Sequence, residues 1–309
     1  MELSAELARL HGERSVLATD IALASSVDGL PYRRLDVLDP LALAKVVAEH
    51  RVTQIYHLAA MLSAAGERDP HRAWHLNMTG LFNVLETARQ FGVRKVFWPS
   101  SIAVFGPGTW HELAPQYGEL DPQTIYGISK LAGERWCEYY HRQHGIDVRS
   151  LRYPGLISYK GLPGGGTTDY AVDMFRAAKR GEEYRCFLQA ETRLPMMYIQ
   201  DALRATIELM NAPAAAIRIR SSYNVSGMSF TASELARCIQ GQVPEFRVTY
   251  QPDYRQAIAD SWPASVDDSL AQRDWNWEPT FSLETMTAEM LGNIPAEKGV
   301  ASAAEATGS

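Results

Sequence analysis

Val96-Phe97-Trp98-Pro99-Ser100-Ser101-Ile102-Ala103-Val104-Phe105-Gly106 is a strongly apolar stretch that carries two adjacent hydroxyls. Such a run reads as a buried strand, and in an open parallel sheet ligands bind beyond the carboxyl ends of the strands, where Ser100 and Ser101 would be displayed. Twenty-five positions after Ser101 stands Tyr126-Gly127-Ile128-Ser129-Lys130. A tyrosine and a lysine four apart on a helix share one face. An isolated tyrosine ionises at about pH 10, too high for a base at neutral pH, and a fixed cation nearby favours the phenolate. The spacing alone recurs by chance in amphipathic helices, so its surroundings decide its meaning.

Those surroundings alternate. Strands are expected over 15–20, 32–37, 54–60 and 96–101, with helices over 1–10, 41–50 and 72–91 between and around them. A helix from Tyr126 to about His141 and a strand over 147–152 continue the series. This alternation predicts βαβ units and a parallel sheet covered by helices on both faces. The order of strand-end Ser101, Tyr126 and Lys130 resembles the extended short-chain dehydrogenase/reductase family, whose members include sugar-nucleotide epimerases, dehydratases and a threonine dehydrogenase branch. The resemblance implies a doubly wound Rossmann fold, with Ser101, Tyr126 and Lys130 as catalytic residues.

Composition agrees with an ordinary globular protein. The chain has 309 residues, 46% of them hydrophobic and 21% charged, with a net charge of −6. No basic stripe points to nucleic acid, and neither a membrane span nor a secretory leader is expected. Cys137, Cys186 and Cys238 are too far apart for a metal or redox motif and read as reduced, packed thiols, which suits the cytoplasm. His71 and His75 are four apart but lack further ligands at zinc spacing, so no metal is expected.

A Rossmann domain opens with a strand and a glycine-rich turn, which lets the backbone approach a pyrophosphate at a helix N-terminus. Here the first helix starts at once, and the run Gly164-Gly165-Gly166 lies far downstream. The expectation is a fold lacking its first strand and turn, through truncation or in the natural protein, so that two neighbouring strands lose their partners. Asp20 stands where the second strand should end; a carboxylate there accepts from a ribose diol and repels a 2′-phosphate, which favours NAD over NADP. The resemblance adds Asp36 and Val37 as the adenine-contacting pair, and Leu58, Ala59 and Ala60 as a small-residue bed for the cofactor. It further adds Asn77 in the following helix, and Tyr153, Pro154 and Ile157 around a Pro-Gly corner beside the nicotinamide. Tyr126 and Lys130 complete that cofactor set.

Four stretches resemble the threonine dehydrogenase branch: 57–63, 99–107, Pro163-Gly164-Gly165-Gly166-Thr167-Thr168-Asp169-Tyr170, and Asp260-Ser261-Trp262-Pro263. A small zwitterion with a secondary alcohol needs acceptors for its ammonium, donors for its carboxylate and a base at its hydroxyl. Ser63, Ser101, Tyr126, Thr167, Thr168 and Trp262 are the expected substrate set, with Trp262 as a roof. L-threonine would lose its β-hydroxyl proton to Tyr126 and its β-hydrogen to the nicotinamide, giving 2-amino-3-oxobutanoate and NADH, while Ser101 holds the reacting oxygen. Two alternatives stay open. Arg176, Arg180, Arg185 and Arg193 would suit the diphosphate of a sugar nucleotide, and a chain without the glycine turn would suit a cofactor-free, non-enzymatic partner.

The expected organisation is an NAD-binding domain over 1–157, to which 195–226 returns, and a substrate domain over 158–194 and 227–294. A disordered tail over 295–309 follows. The resemblance implies a homodimer paired through the two long helices that contain Asn77 and Tyr126. Asp201 reads as a helix cap, and Thr231 with Glu234 as a capping box.

Overall fold

The computed structural model describes residues 2–23, 29–161 and 164–295. The strands are β1 (Ala18–Asp20), β2 (Tyr32–Arg34), β3 (Gln54–Tyr56), β4 (Lys95–Ser101), β5 (Asp147–Tyr153), β6 (Gly155–Ile157), β7 (Tyr184–Cys186), β8 (Arg193–Tyr198), β9 (Tyr223–Asn224), β10 (Met228–Thr231) and β11 (Val248–Tyr250). The α-helices up to the middle of the chain are α1 (Glu2–His11), α2 (Pro40–Glu49), α3 (Ser63–Arg68), α4 (Pro70–Trp74), α5 (Gly80–Phe91) and α6 (Ile125–His144). After them come α7 (Tyr170–Arg180), α8 (Ile199–Asn211), α9 (Ala232–Gln240), α10 (Arg255–Asp260), α11 (Ser269–Trp275) and α12 (Leu283–Asn293).

The architecture is the doubly wound α/β type. Strands β3, β4, β5 and β9 lie side by side and all pair in parallel. Successive residues of β4 point to opposite faces, and both faces are covered. Val96 and Trp98 pack with Leu43 and Val47 of α2, Leu81 and Leu85 of α5, and Cys137 and Tyr140 of α6. Phe97 packs on the other side with Ala205 and Leu209 of α8, Tyr223, and Trp277. This two-sided burial is why the run carries no polar alternation. A further core joins α7, α9, α12, β8 and β10, and it includes Ile102–Phe105 just beyond the end of β4.

The sheet is broken where a first strand was expected to be missing. Among the described residues β1 pairs only with β2, and β3 only with β4. The burial of β3 reflects its open edge: Gln54 is exposed, and Ile55 and Tyr56 are half-buried, in a position that a continuous sheet would enclose.

Several elements differ from the sequence reading. The expected helix over 72–91 contains a π-helical turn at His75–Thr79 around Asn77, and the short α3 before α4 had no periodic signal. Residues 13–15 form a 3-10 turn, so the expected strand over 15–20 shrinks to β1. Met197 and Tyr198 belong to β8, a strand the reading did not expect. Asp201 is not a cap. It sits in the first turn of α8, fully buried, and accepts from Thr280 N–H (2.9 Å), Thr280 Oγ1 (2.6 Å), Phe281 N–H (3.1 Å) and Arg204 (2.9 Å), fastening the C-terminal segment. The capping box of Thr231 and Glu234 is present at α9. The expected tail over 295–309 falls, from 296 on, outside the described residues, as does Pro163.

Candidate active site

Helix α6 is placed at the end of β4 by its first turn. Thr124 caps it by accepting from Gly127 N–H (3.0 Å), and Glu67 of α3 reaches across to accept from Ile125 N–H (2.8 Å). Gly127 permits the approach: a Cβ there would stand 2.1 Å from the Ala103 carbonyl oxygen. Tyr126, Lys130 and Glu134, each four positions apart, then share the face turned to the strand.

Each of the three meets the end of β4. Lys130 Nζ donates to the Pro99 carbonyl (2.6 Å) and lies 4.5 Å from the Trp98 ring centroid and 5.4 Å from that of Tyr126. Glu134 accepts from Ser100 Oγ (2.7 Å). Ser101 Oγ accepts from Ala103 N–H (3.2 Å), and its hydroxyl also hydrogen-bonds the Tyr126 phenol.

The electrostatics correct the sequence argument. Burial pushes the Tyr126 phenol up to about 12, opposed by the Ser101 hydrogen bond. Lys130, 3% exposed and without an ion pair among the described residues, is pushed down to about 7 by burial, while Cys137 and Glu134 pull it back toward the charged form. The cation expected to activate the tyrosine is thus itself disfavoured, because desolvation outweighs the spacing argument.

Asn77 is 4% exposed and fully engaged with protein: its side chain accepts from Met61 N–H (2.8 Å) and donates to the Met61 carbonyl (3.1 Å) and to Ser129 Oγ (3.1 Å). Ser129 Oγ in turn donates to the Tyr126 carbonyl (2.7 Å), so Asn77 fastens the loop after β3 to α6 and offers nothing directly to a ligand. In that loop Leu58 and Ala59 are exposed and Ala60 is half-buried. Asp20, at the end of β1, and Asp36, after β2, are exposed carboxylates, each accepting from a following backbone N–H and, among the described residues, from nothing else. Val37 touches Gly80 at the start of α5, and its carbonyl accepts from Asn83 (2.9 Å).

The Pro-Gly corner is more structural than expected. The Tyr153 hydroxyl turns toward α8, where it bonds Thr206, and Pro154 and Ile157 are buried. Trp262 is 6% exposed in the core beneath, so it shows little surface as a roof.

The glycine loop lies over α3. Gly164 and Gly165 face Leu62 and Ala65, and Gly165 adopts φ +86°, which glycine alone takes readily. Asp169 closes the loop instead of capping α7: its Oδ2 accepts from Gly165 N–H and Gly166 N–H, both at 2.8 Å. This sets Thr167 beside Ser63, with 3.4 Å between their hydroxyl oxygens, and Thr168 against Gly155.

Three of the four arginines suited to a diphosphate are engaged elsewhere. Arg176 donates to the Gly161 carbonyl (3.1 Å), Arg180 pairs with Glu182 (2.7 Å), and Arg193 pairs with Glu234 (2.7 Å). Glu67, Glu134 and Arg152 went unmarked in the sequence reading; a carboxylate at Tyr+8 on the helix face was the available signal for Glu134.

The residues present fit a dinucleotide at two ends. Exposed carboxylates at the ends of β1 and β2 suit an adenosine, and Lys130 beside a small-residue loop suits a nicotinamide riboside. No glycine-rich phosphate turn lies among the described residues, and no group of three or more metal-ligating side chains does either.

Comparison with known proteins gives a consistent result. A sequence profile of the NAD dependent epimerase/dehydratase family matches residues 7–226. An L-threonine 3-dehydrogenase, mitochondrial, of Sus scrofa is 45% identical over 97% of this chain and 81% of its own length. The holo form of a GalE-like L-threonine dehydrogenase from Cupriavidus necator superposes with a TM-score of 0.94 at 55% identity, covering 95% of this chain and 96% of that one. A monomeric L-threonine 3-dehydrogenase from a metagenome, in its apo form, superposes with a TM-score of 0.92 at 47% identity, covering 95% and 94%.

Proposed function

The chain belongs to the NAD dependent epimerase/dehydratase family, and from that premise we propose that it is an NAD-dependent L-threonine 3-dehydrogenase. The observation that carries this reading is the grouping of Ser101, Tyr126 and Lys130 at the end of β4, and it is supported by the meeting of Ser63 at the start of α3 with Thr167 of the glycine loop.

Bound NAD would accept the β-hydrogen of threonine as hydride. The remaining work falls to side chains. Ser63, Thr167, Thr168 and the glycine-loop backbone bind the ammonium and carboxylate, and Ser101 holds the β-hydroxyl oxygen. The Tyr126–Lys130 pair, with one proton between the two groups, takes the hydroxyl proton at the Tyr126 oxygen as the carbonyl forms. The products are 2-amino-3-oxobutanoate and NADH. Asp20 and Asp36 with Val37 would hold the adenosine end, and Lys130 with the 58–60 loop the nicotinamide end. We divide the chain accordingly into a cofactor domain over 1–157 with 195–226, and a substrate domain over 158–194 and 227–294.

The internal engagement of Arg176, Arg180 and Arg193 weighs against the sugar-nucleotide reading. A homodimer remains our expectation, supported by an exposed aromatic face on α5 and α6, although one similar enzyme is described as monomeric. No described helix is long and apolar enough to cross a membrane. Cys137, Cys186 and Cys238 are free thiols, as a reducing cytoplasm keeps them, though the Sus scrofa relative is named mitochondrial.

NADH absorbance after mixing the protein with NAD and L-threonine tests the reading. Tyr126→Phe should lower kcat about a thousandfold or more while leaving NAD binding largely intact; substantial residual turnover would remove Tyr126 from its role. Turnover of a nucleotide sugar instead of threonine would restore the alternative.

A further inference from the structure

Glu134 is completely buried, and every polar atom of its carboxylate is used. Oε1 accepts from Ser100 Oγ (2.7 Å) and Arg152 Nε (2.8 Å), and Oε2 from Arg152 Nη2 (2.8 Å). The remaining guanidinium nitrogen of Arg152 donates to Asn224 Oδ1 and to the Gln116 carbonyl, each at 3.1 Å. Asn224 continues the chain, donating to the carbonyls of Ala114 and Asp267 (3.1 Å each). A bidentate pair in which every nitrogen and oxygen has a partner avoids the penalty that an orphan buried charge would carry. Its position is telling. Glu134 is one helical turn beyond Lys130, and its partner Ser100 lies between Pro99, which holds Lys130, and Ser101, which hydrogen-bonds Tyr126.

We propose that Glu134, clamped by Arg152, is a positioning residue for the Ser101–Tyr126–Lys130 centre, fixing the end of β4 against α6 and placing a carboxylate one helical turn from the Lys130 ammonium. This rests on the assignment of Tyr126 and Lys130 given above. Lys130 faces Tyr126, Glu134 and Cys137 on its own helix, His57 at the end of β3, and Arg152 of β5 through Glu134. Of these Glu134 is the one carboxylate, and after Cys137 it counters the burial that depresses the lysine. Without it the Lys130 titration moves down. The proton of the pair then leaves at lower pH, but from the lysine rather than the phenol, so less of the pair is phenolate beside ammonium.

The test is an NMR titration of protein labelled at the lysine ε-carbon, with Lys130→Met identifying the resonance. Two variants are compared: Glu134→Gln, which preserves shape and a partner for Ser100, and Glu134→Gln/Arg152→Gln, which leaves no unpaired buried charge if the single variant does not fold. In either, the Lys130 midpoint should fall by about half a pH unit or more. The acid limb of kcat/KM for threonine should move the same way, and kcat should drop about tenfold with the KM for NAD unchanged. A Lys130 midpoint that does not move overturns the proposal, even if the rate falls, because loss of packing alone would slow the enzyme without shifting a titration. Ser100→Ala removes only the hydroxyl that joins β4 to Glu134; it should lower kcat several-fold, measured at a temperature well below the melting transition of the variant, and an unchanged kcat overturns the positioning role. If the parent does not oxidise threonine, the functional reading fails, while the NMR titration still decides this one.

Discussion

The hydroxyl oxygens of Ser63 and Thr167 stand 3.4 Å apart, although 104 positions separate them in the chain. Ser63 opens α3, and Thr167 ends the glycine loop that Asp169 holds closed. Both are nearly fully buried, so two hydroxyls with spare hydrogen-bonding capacity converge where the α3 and glycine-loop backbones meet. A zwitterion bound there would replace their mutual contact with its own. Ser63→Ala and Thr167→Ala should each raise the KM for L-threonine about tenfold, and the double variant should fall short of the product of the two, because the residues share one ligand. Steady-state kinetics at saturating NAD measures this. Full additivity would mean that the two hydroxyls act at separate places.

Asp20 carries the cofactor choice. Its exposed carboxylate at the end of β1 has Arg33 and Arg34 on the neighbouring strand, and Arg34 donates to the Ile21 carbonyl (3.0 Å). Replacing Asp20 by Ser removes the group that would repel a 2′-phosphate and leaves Arg34 opposite it, while Arg33 pairs with Glu49 (3.2 Å). The ratio of kcat/KM for NAD over NADP should fall about a hundredfold or more, roughly 3 kcal/mol of discrimination. An unchanged ratio would place the adenosine elsewhere.

His57 imposes an acid limit on stability. It is 3% exposed, its Nε2 has no hydrogen-bond partner among the described residues, and burial, with a smaller contribution from Lys130, pushes its imidazole down to about 3. Between its ordinary value near 6.5 and about 3 the unfolded chain binds a proton that the folded chain refuses. Stability contributed by the neutral ring is therefore complete above about pH 6.5 and is lost as pH falls toward about 3. His57→Gln should flatten the acid limb of a chemical-denaturation profile in that window, leaving other carboxylate-linked losses in place. A limb of unchanged slope would show that His57 protonates without unfolding the site.

What the sequence disclosed follows the range of the forces involved. The β4 run announced itself because both faces of a central strand are buried, and the sheet break was foreseen because a glycine turn is a local pattern with a local absence. Tyr126 and Lys130 were found by helical spacing. Their protonation was not, since burial by Trp98 and the surrounding core depends on residues that only the fold brings near. The same limit hid Asp201, whose partners lie about eighty positions away, and the Glu134–Arg152 pair, whose spacing of eighteen has no local meaning. Short elements such as α3 and β6 are too brief to leave a periodic trace.

Asp201 gives the largest expected loss of stability. Its carboxylate accepts from two backbone N–H groups and a hydroxyl of Thr280 and Phe281, all within 3.1 Å, while Arg204 pairs with it and lies over Trp277. Asp201→Ala would leave these donors unpaired near α8 and should cost about 3 to 5 kcal/mol in urea or guanidinium unfolding. Asp201→Asn, which keeps an acceptor but loses the charge, should cost less. Equal losses would show that the charge, not the acceptor geometry, holds the C-terminal segment.

The aromatic face on α5 and α6 carries the last expectation. Phe82 and Trp136 meet edge to face at 5.5 Å, Trp136 and Tyr139 at 5.6 Å, and these three side chains are 43%, 39% and 48% exposed. Phe91, on α5, and Trp74, on α4, are exposed to a similar degree. Contiguous aromatic surface of this kind on a folded chain marks an interaction face, and the antiparallel or parallel apposition of two copies of the same helix pair would bury it symmetrically. Sedimentation of the parent at micromolar concentration should therefore show a dimer, and Trp136→Glu should shift it to monomer by placing two like charges in an apolar contact. A parent that sediments as a monomer, as the metagenomic relative's description would suggest, removes the dimer and leaves the aromatic cluster as a solvent-exposed feature of a single chain.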